Sequence, residues 1–225
     1  MSAVTSTAAV PSYPVVRHLA SASESEIEQI TAVLVDAFEG DPFTSILLGG
    51  DLSLAPQQLR ADVRAAFVSK GEVHVISNGP EVDNIIGVAI WYPSGVKAFT
   101  SEEERAFRNE FQALLPDSVR SWWTNHFIPT SSELSGRTLG SAYTLNSWSL
   151  HLFAVLKAHH GKGYGRKLFN YAEEKAKATR SSMVVKTTKE VDVRIYTRLG
   201  FKLSGETLIE SPIGKGRMYI MHIDF

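Results

Sequence analysis

Apolar residues recur along this chain with two periods, and the switches between them mark out its elements. Residues 15–20 read as a first strand. Ser23 and Glu26 have the spacing of a capping box, and Ile27, Ile30, Leu34 and Phe38 then make one face of a helix. The tripeptide Asp41, Pro42, Phe43 ends it. A second helix is predicted over residues 55–70, with Leu59, Val63, Ala66 and Phe67 inward. Residues 73–77 and 85–92 read as a strand pair joined by an Asn/Gly/Pro loop. Residues 101–115 read as a charged helix, whereas 116–145, with Trp122, Trp123, His126 and Phe127 inside them, show no clear period. The run 148–156 is apolar except for Ser149 and His151. Beyond a glycine turn, Leu168, Ala172 and Ala176 return to helical spacing. Residues 182–187 read as a buried strand. Val193, Tyr196 and Leu199 mark a helix that Gly200 stops, and 201–210 and 217–224 close the chain as strands. Strands mixed with helices and ending in a β pair predict an α/β (α+β) domain with a mixed sheet.

Composition narrows the function classes. A chain of 225 residues that is 44% hydrophobic suits one domain, or one with insertions. A net charge of −1 points to neither nucleic acid nor an anionic membrane. No apolar run approaches the ~20 residues of a membrane span. Residues 1–12 are small and polar, lack the features of a signal peptide, and read as a flexible tail. With no cysteine there is no disulfide, cysteine metal site or cysteine nucleophile. A cytoplasmic location is the default, and no metal site is expected.

The candidate chemistry centres on residues 148–176. Gly161, Gly163 and Gly165 alternate with Lys162 and Tyr164 between the strand and the helix. A glycine turn that opens a helix leaves backbone N–H groups unpaired and facing outward, which makes an anion site, usually for phosphate. Lys162, Arg166 and Lys167 add positive charge. The order does not fit a P-loop, because Gly165 precedes Arg166, Lys167 and Leu168. It does not fit the dinucleotide fingerprint either, being G-x-G-x-G and far along the chain. A ligand-free connection and a generic phosphate-binding α/β domain stay open on the turn alone.

The turn, residues 160–165 (H-G-K-G-Y-G), and the later block, residues 196–201 (Y-T-R-L-G-F), together resemble the GNAT acyltransferase superfamily. There, Arg or Gln, two spacers, Gly, a spacer and Gly or Ala follow a strand. A later helix ends in Tyr, two spacers, Leu or Phe, Gly, Phe. The resemblance covers about residues 146–205 firmly. It implies a GNAT-like, mostly antiparallel mixed sheet flanked by helices, with a splayed acetyl-CoA cleft. Residues 13–225 would form one domain with a helical insertion at about 94–145. Acetyl-CoA is the implied co-substrate, held by Phe153, Ala154, Val155, Leu156, His160, Gly161, Lys162, Gly163, Tyr164, Gly165 and Arg166.

Acyl transfer to an amine needs a base for the amine, a donor for the developing oxyanion and a proton for the leaving thiolate. Strand alternation puts Ser149, His151, Phe153 and Val155 on one face. Of these only His151 is of a type that titrates near neutrality, so it is the candidate base. A buried structural histidine is the plain alternative. By the resemblance, Tyr196 is the acid at the CoA sulfur and the Leu156 N–H is an oxyanion donor. Arylalkylamine-acetylating members carry His-Leu-His in this register, and here it reads Ser149, Leu150, His151. The glutamate that lysine-directed members often have is Ser149. His160 replaces the usual Arg or Gln, Lys157 a common proline, and Asp192 an asparagine near the cofactor; a carboxylate there would repel a polyanion. The overall pattern resembles small-molecule fungal-type members. A small-molecule amine is thus the expected partner of a monomer or homodimer, and Phe38, Asp41, Trp91 and Trp122 are candidates for its pocket. Trp91 and Tyr92 point to opposite faces if they share a strand. Protein lysine or N-terminal acetylation, and a non-catalytic acyl-CoA-binding module, are the alternatives.

Overall fold

The computed structural model describes residues 13–225, so the expected tail lies outside the described residues. Seven strands form one sheet in the order β1-β2-β3-β4-β5-β7-β6. They are β1 (Val15–Leu19), β2 (Glu72–Ser77), β3 (Ile85–Tyr92), β4 (Trp148–Val155), β5 (Met183–Thr187), β6 (Lys202–Ser211) and β7 (Gly214–Ile223). Every neighbouring pair is antiparallel except β4 and β5. That one parallel pair requires a crossover, supplied by helix α8 (Tyr164–Ala178).

Two layers of helix cover the sheet. On one face, α1 (Glu24–Phe38) and α3 (Ala55–Val68) pack Ile30, Leu34, Leu59 and Val63 against Val73, Val88 and Ile90. The capping box at Ser23 and Glu26 starts α1, as its spacing predicts. On the other face, α8 lays Leu168, Phe169, Ala172 and Ala176 on Ile86, Trp91 and Val155, joined by Tyr196 and Leu199 at α9 (Glu190–Arg198).

The Asp41, Pro42, Phe43 tripeptide both follows α1 and opens α2 (Pro42–Leu47), with Asp41 as its N-cap. The charged helix expected over 101–115 is α4 (Glu102–Gln112), and the aperiodic stretch resolves into α5 (Asp117–Trp122), α6 (Ile128–Thr138) and α7 (Ser141–Leu145). A π-helical segment, Trp123–Phe127, joins α5 to α6. That extra residue per turn disrupts the 3.6-residue period, which is why no helical face was readable there. These helices and α2 bury Phe111, Trp122, Trp123 and Leu134 against Val184, Ile209 and Ile220 of β5 to β7, opposite α8 and α9.

Candidate active site

Strand β4 carries the site, and two irregularities give it its shape. The first is a parallel pairing that stops early. Trp148, Ser149 and Leu150 face Met183, Val184 and Val185, and no pair follows. Past that point β5 is held elsewhere. Lys186 donates to the Ser131 carbonyl at 3.0 Å and its hydroxyl at 2.9 Å, and burial pulls its ammonium down to about 8. The Thr187 hydroxyl donates to Asp192 at 2.8 Å. The two strands therefore part from residue 152 onward, leaving that edge of β4 open.

The second irregularity is a β-bulge. Ile90 faces Leu152 and Trp91 faces Leu150, so His151 is the extra residue. The bulge overturns the expectation that Ser149, His151, Phe153 and Val155 share a face. Phe153 and Val155 pack towards α8, whereas Leu152 and Ala154 pack towards α1 and α3. His151 turns to the α3 side, where its ring meets Tyr92 and Phe99 edge-on at 5.6 and 5.9 Å. Its Nε2 lies 3.4 Å from Asp62 Oδ1, an ion-pair separation, and has no hydrogen-bond partner among the described residues. Tyr92 is buried, and burial pushes its phenol up. Ser69 lies near its hydroxyl without forming a well-aligned bond.

The glycine turn fits a polyanion. Gly161 and Gly163 have φ of 75° and 79°, a region L side chains avoid, and nothing lies within 4 Å of where either Cβ would be. Gly163 is the N-cap of α8 without any side-chain cap, so the first N–H groups of the helix face outward. The surrounding side chains brace the turn. His160 Nε2 donates to the Val155 carbonyl at 2.8 Å, so this ring folds back on the strand rather than towards a phosphate. Lys162 donates to the Ala158 carbonyl at 3.1 Å, and Arg166 to Arg198 at the end of α9, also at 3.1 Å. Gly165 faces Phe153, whose ring would lie 3.5 Å from a Cβ there, an ordinary contact. Lys157, in place of a proline, donates its N–H to Asp36 at 2.7 Å, a bond proline cannot make.

Several expected roles need correction. The Leu156 N–H donates to the Ile86 carbonyl at 2.9 Å, so it is not free for an oxyanion. Amides alternate along an antiparallel strand, so Ala154 also points to β3, while Phe153 and Val155 point to the open edge. Trp91 is fully buried on the α8 face, away from His151, and its neighbour Tyr92 takes the pocket position. Trp122 is core, stacked on Phe127 at 5.4 Å and bonded to the Glu210 carbonyl. Asp41 is buried, caps Phe43 N–H at 2.8 Å and pairs with Lys189 at 2.9 Å, so its carboxylate is engaged. Phe38 stays on the His151 face, half-buried against the α1 and α3 core.

Tyr196 lies on the α8 and α9 side, its ring 5.6 Å from Phe201. Burial, with Asp192 adding to it, pushes its phenol up, which keeps the proton on at neutral pH. Asp62 was missed from the sequence. It had a signal, being a carboxylate at the inward spacing of Leu59, Val63 and Ala66.

Among the described residues no three His, Asp or Glu side chains converge as a metal site, and no helix is long and apolar enough to cross a membrane. No curated protein matches the chain. Residues 131–203, which run from α6 through the turn to the start of β6, match the family described as "Acetyltransferase (GNAT) domain". Solved structures match over nearly the whole chain. A mosquito arylalkylamine N-acetyltransferase-like 5b is 17% identical, with 94% of this chain and 99% of that one covered and a TM-score of 0.59. A Drosophila melanogaster polyamine N-acetyltransferase that forms N-acetylagmatine is 15% identical, with the same coverage and a TM-score of 0.59. A Corynebacterium glutamicum structure described as histone acetyltransferase HPA2 and related acetyltransferase is 20% identical, with coverage of 93% and 94% and a TM-score of 0.57. The protein therefore has the GNAT acetyltransferase fold, with the acetyltransferase domain match centred on β4, the glycine turn and α8.

Proposed function

We propose that this protein is an acetyl-CoA-dependent N-acetyltransferase acting on a small-molecule amine by direct transfer within a ternary complex. The observation that carries this reading is the pairing, on one strand, of an open edge leading to a bare helix N-terminus with a histidine thrown out by a bulge beside a carboxylate. Acetyl-CoA supplies the activated acetyl group. The N–H groups at the start of α8 hold its phosphates, and the Phe153 amide receives its pantetheine arm along the open edge. The Val155 N–H takes the oxyanion role expected of Leu156.

His151 accepts the proton of the attacking amine. Asp62 orients the ring and stabilises the imidazolium that forms. Tyr196, kept protonated by burial, donates to the sulfur. The mosquito and Drosophila likenesses support an amine of small size, as do Tyr92 and Phe99, whose rings stand against His151.

Thiol release from acetyl-CoA across arylalkylamines, polyamines, amino acids and lysine peptides tests the reading. Acceptor-dependent release is expected from a small amine. Calorimetric CoA binding with no release from any acceptor would make this a CoA-binding module instead. Double-reciprocal plots should intersect; parallel lines with an isolable acetyl-enzyme would overturn the ternary complex.

A further inference from the structure

Across the Phe99 ring from His151 stands a cation that neither the acetyl-CoA site nor the proposed base requires. Arg108 of α4 stacks its guanidinium over Phe99, 3.3 Å from the ring centroid. The His151 ring lies 5.9 Å from that same centroid, so guanidinium and imidazole are separated by no more than the two distances together. Burial pushes Arg108 down from the ordinary arginine value. Asp62, Tyr92 and Glu104 are near enough to act on its charge, but none pairs with it within ion-pair distance. Asp62 is drawn to His151 instead. Both oxygens of Glu104 are engaged in the loop, accepting N–H groups from Phe99 at 3.0 Å and from Thr100 and Ser101 at 2.8 Å.

That carboxylate clamp has a second effect. Phe99 has φ of 59°, a left-handed conformation that costs free energy for an aromatic residue. Glu104 holds it there and so fixes the ring between Arg108 and His151. The structure thus maintains backbone strain to keep a half-buried guanidinium beside the acceptor position, without giving it an anion of its own. A desolvated arginine presents a planar fork suited to a carboxylate or phosphate.

We infer that the acceptor is an amine that also carries an oxyanion, as an amino-acid zwitterion does, with its nitrogen at His151 and Asp62 and its anion at Arg108. This rests on the transferase reading above and gives it a substrate class. Matched pairs test it: phenylalanine with phenethylamine, lysine with cadaverine, and phosphoethanolamine with ethanolamine. Each is followed by thiol release and by calorimetric binding in the presence of CoA. The anionic member of a pair should be favoured at least about tenfold. Arg108→Gln should cut use of the anion-bearing member by roughly 10- to 100-fold and so remove that preference, with CoA affinity unchanged. Arg108→Lys, which keeps the charge but not the fork, should retain part of the preference and so guards against misreading a misfolded variant. Preference in the phosphate pair alone would assign the anion as phosphate. Equal or poorer use of every anionic member overturns the inference and leaves the transferase intact. Absence of thiol release from all six compounds would count against the transferase for these acceptor classes, and the binding preferences would then decide the anion site by themselves.

Discussion

The glycine turn ahead of α8 presents backbone at its surface, while the cluster around His151 presents side chains. At the turn, the groups facing outward are N–H donors fixed by two left-handed glycines, and the flanking His160, Lys162 and Arg166 side chains bond to the protein's own carbonyls. In the pocket, Asp62, Tyr92, Phe99, Arg108 and His151 come from α3, β3, the loop before α4, α4 and β4. A backbone site is specified by a short contiguous sequence and indifferent to most side chains. A side-chain site depends on the whole fold and is free to vary.

If that contrast is right, replacements on the two sides separate cleanly. The largest effect is expected at His151. His151→Ala should lower kcat by roughly 10²- to 10⁴-fold, with CoA affinity unchanged. A kcat within a few-fold of wild type would remove His151 from the base role. Gly163→Val should weaken CoA binding on the order of 100-fold by calorimetry, because a β-branched residue resists φ of 79°. Lys162→Ala, next to it, should change CoA affinity only a few-fold. A larger loss from Lys162 than from Gly163 would break the comparison.

A third test lies outside both regions. Glu72 would be raised by burial, but His74 and Lys175 outweigh that and hold it down to about 2, against 4.5 for a free glutamate. Its contribution is fully present above pH 4.5 and is lost as the pH falls towards 2. Melts over that interval should show a loss of about 1–2 kcal/mol, reduced by solvent screening, and Glu72→Gln should flatten it. A smaller effect than at His151 is expected from Asp62→Asn: about a tenfold fall in kcat, with CoA affinity untouched.

How far the sequence could be read follows the same division. Residues 160–165 and 196–201 are contiguous, and their glycines have local conformational meaning, so the turn, α8 and α9 were legible. The capping box at Ser23 and Glu26 and the strand pair β2 and β3 around its Asn/Gly/Pro loop were legible for the same reason. The bulge was not. Nothing in Ser149, Leu150, His151, Leu152 marks an extra residue, because the shift exists only relative to β3. Trp91 was misplaced because a tryptophan near a site looks like a pocket wall until its face is known. Asp41 resembles an ammonium ligand until Lys189, distant in sequence, is found beside it. Arg108 and Phe99 lie in a helix and loop whose partners are long-range, and no local pattern sets them apart from an ordinary charged helix.

The bulge at His151 has a consequence for how such a strand diversifies. It divides β4 into two segments with opposite reading frames of inside and outside. The segment from Leu152 onward keeps step with the turn and α8, and the segment before it keeps step with β5 and the α3 pocket. A one-residue change at the junction would re-aim Ser149 and Leu150 while leaving Phe153, Val155 and the turn in place. The strand behaves as a tool with an interchangeable head: on the proposed reading, variation can act on the acceptor without reopening how the acetyl donor is held.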